Sequence, residues 1–113
     1  MTLDQLLQLI DEHPAYGPAM RKAVDAGVPL VLNYHDHGGQ GTYCVSIAAK
    51  ETAAFDLLMK GVENLRELAH VEGFGPNVEE CRPRCEALAV TLLAHYELER
   101  LPEIYLNGEP APA

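Results

Sequence analysis

The pair Gly38-Gly39, set between two runs of alternating apolar residues, constrains this chain more than any other feature. The upstream run is Leu30-Val31-Leu32-Asn33-Tyr34-His35-Asp36-His37, and the downstream run is Gln40-Gly41-Thr42-Tyr43-Cys44-Val45-Ser46-Ile47. Adjacent glycines supply the positive φ of a two-residue type I′ turn, so the segment from Leu30 to Ala48 reads as a β-hairpin. Closing the chain there sets Leu30 opposite Ile47, Leu32 opposite Val45 and Tyr34 opposite Tyr43 on one face. The other face pairs Asn33 with Cys44, His35 with Thr42 and His37 with Gln40. This register sorts the side chains into a core face and a polar face.

Helical signals flank the hairpin. Thr2 and Gln5 form a capping-box pattern ahead of the apolar stripe Leu3, Leu6, Leu7, Ile10. His13-Pro14 ends that helix, because the residue before proline is pushed out of the α region. A second helix opens at Gly17-Pro18, carries Met20, Ala23 and Val24, and stops at Gly27. Phe55, Leu58, Val62, Leu65 and Ala69 recur at helical spacing, which predicts a third helix from about Ala49 to His70. Gly73-Phe74-Gly75-Pro76 breaks the chain. Asn77 with Glu80 looks like a cap, but Pro83 conflicts with a helix starting there, so the expected main helix opens at Pro83 and ends near Arg100. Ile104-Tyr105-Leu106 reads as a short strand closed by Asn107-Gly108.

The expected class is α+β. A small antiparallel sheet, built from the hairpin and a short C-terminal third strand, packs against about four helices in the order α-α-β-β-α-α-β. Residues 1–108 form a single domain and 109–113 a disordered tail. Leu58, Val62, Leu88 and Leu92 are the expected core.

Composition narrows the function classes. The net charge of −9 and only eight Lys and Arg in 113 residues argue against direct nucleic-acid binding, which needs a basic patch. No apolar run approaches a membrane span of roughly 20 residues. The opening Met1-Thr2-Leu3-Asp4-Gln5 lacks the basic stretch and apolar block of a signal peptide, so the expected location is cytoplasmic. Three cysteines do not make a complete disulfide framework.

No motif announces an enzyme. Ser46 is the only serine and lies mid-strand, away from any Gly-x-Ser-x-Gly elbow. Gly38-Gly39-Gln40-Gly41 sits between strands rather than before a helix, so it is not a phosphate cradle. Cys81-Arg82-Pro83-Arg84-Cys85 has neither redox nor zinc-knuckle spacing, and Cys85 falls on the buried stripe of Leu88. The reading that follows is a small acidic regulator or inhibitor that binds a protein partner with a basic surface, of the antitoxin, immunity or phage anti-defence type. Its partner-binding residues are His35, Asp36, His37, Gly38, Gly39, Gln40 and Thr42 at the hairpin tip. A homodimer through the exposed sheet edge is a further expectation.

The alternative, a metal-binding protein or metal-dependent enzyme, rests on His35-Asp36-His37. Residues i and i+2 of a strand share a face, so His35 and His37 can approach one metal ion, with zinc as the implied cofactor. Two ligands do not complete a site. Cys44 shares the polar face, whereas His70, His95, Cys81 and Cys85 are remote in sequence.

Overall fold

The computed structural model describes residues 2–36, 41–52 and 63–112. Its elements are α1 (Leu3–Glu12), α2 (Tyr16–Asp25), β1 (Leu30–Asp36), β2 (Tyr43–Thr52), β3 (Glu63–Gly75), α3 (Val78–His95), β4 (Glu103–Leu106) and β5 (Glu109–Pro110). The strands make one mixed sheet in the order β3-β2-β1-β4-β5. β1 pairs antiparallel with β2 and parallel with β4, and β3 pairs antiparallel with β2.

The order α-α-β-β-α-α-β is therefore corrected to α-α-β-β-β-α-β-β, with three helices among the described residues. The expected third helix accounts for the difference. Its first residues continue β2 to Thr52, and its last residues belong to β3. Leu58 and Val62 lie outside the described residues. A β-bulge explains the helix-like spacing within β3. Ile47 faces Ala69 while the next residue, Ala48, faces Glu67, so Leu68 is the inserted residue. Both Leu68 and Ala69 are buried, so the strict period of two is broken. Leu65, Leu68 and Ala69 then fall at i, i+3, i+4, the spacing of a helix face.

The hairpin strands exist, but their register differs by two residues from the expected one. Leu30 faces Ala49, Leu32 faces Ile47 and Tyr34 faces Val45. β1 ends at Asp36 and β2 begins at Tyr43, and the expected turn residues Gly38-Gly39 lie outside the described residues. A slip of two preserves which face each side chain takes. Leu30, Leu32, Tyr34, Val45, Ile47, Ala49 and Ala69 accordingly join one core with residues of all three helices.

Local chemistry sets the helix ends. Thr2 and Gln5 form the capping box of α1. His13 ends α1, and its Nδ1 accepts from the Ala15 and Tyr16 amides at 3.1 and 3.2 Å, so the same residue caps α2. α2 begins at Tyr16, two residues before Pro18. A Cβ on Gly17 would stand 2.6 Å from the Asp11 carbonyl oxygen, so only glycine permits this approach of α1 and α2. Asn77 caps α3 by accepting from the Glu80 amide at 2.9 Å, and Pro83 lies inside the helix. The missing proline N–H removes one backbone bond near the helix start, a loss that the buried face of Cys81, Cys85, Leu88, Ala89 and Leu92 outweighs. α3 stops at His95 rather than near Arg100, because Glu97 takes a left-handed φ of 53°. Asn107 donates its amide to the Tyr34 carbonyl and Asn33 Oδ1 accepts from the Gly108 amide at 2.8 Å, which fixes β4 beside β1. Glu109 and Pro110, placed in the tail by sequence, pair with Leu106 and Tyr105.

One polar cluster ties α1 to the end of α3. Asp11 accepts from the Tyr96 hydroxyl at 2.6 Å and lies 2.8 Å from His95 Nε2. Burial pushes the Asp11 carboxyl up, but the bonds from Tyr96 and His95 outweigh it and hold the group below its ordinary value of 3.8. A carboxylate lowered by folding contributes stability above its unfolded pKa and loses it as pH falls through the folded value. Asp11→Asn is expected to cost about 1–2 kcal/mol at neutral pH. In urea titrations the gap between variant and wild type should close as pH falls below about 4. A gap that persists at pH 2 would place the effect in packing instead.

Candidate metal centre

The core lies on one side of the sheet, so residues of opposite parity define the other side. On β1 these are Val31, Asn33 and His35, and on β2 they are Cys44, Ser46 and Ala48. The register places His35 directly opposite Cys44 and Asn33 opposite Ser46. On the other flank of β2, Ser46 faces His70 and Ala48 faces Glu67. Three strands thus bring His35, Cys44 and His70 together, and one donor atom from each lies within 4.8 Å of the others.

β1 and β3 are two strand spacings apart, roughly 9.6 Å. Their imidazoles still approach, with ring centroids 5.5 Å apart, because the intervening side chains Cys44 and Ser46 are small. The bulge of β3 completes the wall beside the thiol. Between the pairs Tyr43–Gly75 and Val45–Val71, Cys44 alone stands against Glu72, Gly73 and Phe74. Gly73 takes a φ of 64° in this bulge, and its backbone hydrogen-bonds Cys44. Burial pushes the Cys44 thiol up and the Glu72 carboxylate adds to the effect, whereas the bond to Gly73 opposes both. A bound cation reverses this balance, since a coordinated thiol is deprotonated outright.

Hydrogen bonding distinguishes the two histidines. Nδ1 of His35 is buried and has no hydrogen-bond partner among the described residues. Nδ1 of His70 lies 3.0 Å from Glu67 Oε1 and 3.3 Å from Ser46 Oγ, and the Ser46 hydroxyl donates to Glu67 Oε1 at 3.0 Å. Serine and carboxylate meet the same ring nitrogen. The imidazole therefore cannot pass a proton between them through its two nitrogens, which sets the group apart from a serine–histidine–acid relay.

Of the tip residues, His35 points into this cluster, Asp36 and Thr42 are exposed, and His37, Gly38, Gly39 and Gln40 lie outside the described residues. Sequence names His70 only as a donor remote from the hairpin, because the expected helix runs through it and leaves its face unassigned, and it gives Ser46 and Glu67 no part in a metal site. Cys81 and Cys85 are fully buried in α3. Burial pushes the Cys85 thiol up to about 12, against the opposing charge of Arg82, so it packs as a small apolar group. Among the described residues, no helix is long and apolar enough to cross a membrane. No protein-family model, curated protein or solved structure gives a significant match to the chain.

Proposed function

We propose that this protein binds a divalent transition-metal ion of the zinc class through His35, Cys44 and His70. The observation that carries the reading is the convergence of one thiol and two imidazoles from three adjacent strands, with donor atoms within 4.8 Å. A tetrahedral ion with bonds of about 2.0–2.3 Å holds its donors roughly 3.3–3.7 Å apart, so the group needs to contract by at most about 1.5 Å. Side-chain rotations cover that distance without moving the strands. Nδ1 of His35, without a hydrogen-bond partner among the described residues, supports the reading further, because a buried ring nitrogen left without a partner is costly and coordination to a metal ion would satisfy it.

The donor set also selects the ion. Thiolate and imidazole suit zinc, cobalt and copper, whereas magnesium and calcium require oxygen ligands. Three protein ligands leave the fourth position of a tetrahedral ion to water or to a further donor. Titration with Co2+ tests the assignment. One equivalent per chain should produce a thiolate-to-cobalt charge-transfer band, and Cys44→Ser should abolish it. A band that survives in Cys44→Ser, or no band in the wild type, would rule the site out.

A further inference from the structure

The role of Glu67 follows from the metal reading and rests on it. We infer that Glu67 is a positioning residue, which accepts a hydrogen bond from the proton-bearing Nδ1 of His70 and so leaves Nε2 of that ring as the metal donor. A neutral imidazole carries one N–H and one lone pair, and the partner of one nitrogen decides the state of the other. Glu67 Oε1 lies 3.0 Å from His70 Nδ1. A carboxylate accepts only, so the ring must donate, and the proton resides on Nδ1. The same carboxylate oxygen receives the Ser46 hydroxyl at 3.0 Å, which turns the Ser46 lone pairs toward the ring nitrogen 3.3 Å away. Glu67 and Ser46 thus favour the same tautomer.

The fold explains why these residues meet. Glu67 and His70 are three apart, a separation that puts residues of a regular strand on opposite faces. The Leu68 bulge shifts the parity by one and returns Glu67 to the face of His70, beside Ala48. Ser46 is the buried polar residue among those described, at 7% exposure, and it lies where it contacts both. A carboxylate behind a ligating histidine fixes the ring and raises the basicity of its donor nitrogen.

The test separates the tautomer from the metal. Nitrogen-15 NMR of the metal-free wild-type chain should find the neutral His70 ring protonated on Nδ1. Glu67→Ala should move that proton toward Nε2 and weaken zinc binding by about 10–100-fold. Glu67→Gln, which keeps an acceptor oxygen, should retain the Nδ1 proton and lose less affinity than Glu67→Ala. Ser46→Ala should keep the Nδ1 proton, since the carboxylate remains. A wild-type ring protonated on Nε2, or zinc affinity unchanged in Glu67→Ala, would overturn the positioning role while leaving zinc binding itself intact. Absence of zinc binding by the wild type would overturn the metal reading, and this role with it, whatever the tautomer.

Discussion

Saturating Zn2+ is expected to stabilise the wild-type chain by about 2.7 kcal/mol at a free concentration of 100 Kd, and to leave Cys44→Ser unchanged. The proposed ligands come from β1, β2 and β3, so unfolding would separate them and release a bound ion. Binding to the folded state alone then adds directly to stability. For a chain of this size the shift corresponds to a rise in Tm on the order of 10 °C. Cys44→Ser is nearly isosteric at a fully buried position, and it removes the soft donor while keeping the shape. The variant's own baseline cost cancels when it is compared with and without zinc. Mg2+ at the same concentration should stabilise neither protein. Equal zinc shifts in wild type and variant would show that the ion binds elsewhere.

Leu92→Ala is expected to lower stability by about 2–5 kcal/mol, with a fall in Tm on the order of 10–20 °C. Leu92 is fully buried in the same cluster as Ile10, Met20, Leu32 and Leu88, where α3 covers the sheet. Truncation removes the transfer free energy of the side chain and leaves a cavity that close-packed neighbours refill only in part. Such a loss is a large share of the roughly 5–15 kcal/mol that stabilises a typical domain. Val90, on the opposite face of the helix at 59% exposure, provides the control, and Val90→Ala should change stability by about 0.5 kcal/mol or less. A loss below about 0.5 kcal/mol for Leu92→Ala would contradict the packing of α3.

Sequence reasoning reads this fold where local chemistry is decisive. The Thr2–Gln5 capping box, the His13-Pro14 stop and the end of α2 at Gly27 have their counterparts in the structure, whereas the expected start of α3 at Pro83 is wrong, because Asn77 caps the helix and Pro83 lies inside it. The division of β1 and β2 into two faces also has its counterpart. The register was not legible, because a slip of two keeps every side chain on its face. Leu30, Leu32 and Tyr34 find apolar partners in either alignment. That slip carries consequences, since it moves the partner of His35 from Thr42 to Cys44.

The error over β3 has a different origin. A bulge makes a strand's burial pattern resemble that of a helix, and only pairing with β2 distinguishes the two. The candidate site depends on both features. His35 meets Cys44 only in the observed register, and His70 joins them only once β3 is a strand. The chemistry of the donors was visible in the sequence, but their convergence is a product of long-range pairing.

X-ray absorption at the zinc edge of the protein loaded with one equivalent of Zn2+ tests the central claim most directly. The proposed centre predicts a single sulfur at about 2.3 Å and two imidazole nitrogens at about 2.0–2.1 Å, with the sulfur shell lost in Cys44→Ser. A first shell of oxygens and nitrogens without sulfur in the wild type would contradict it.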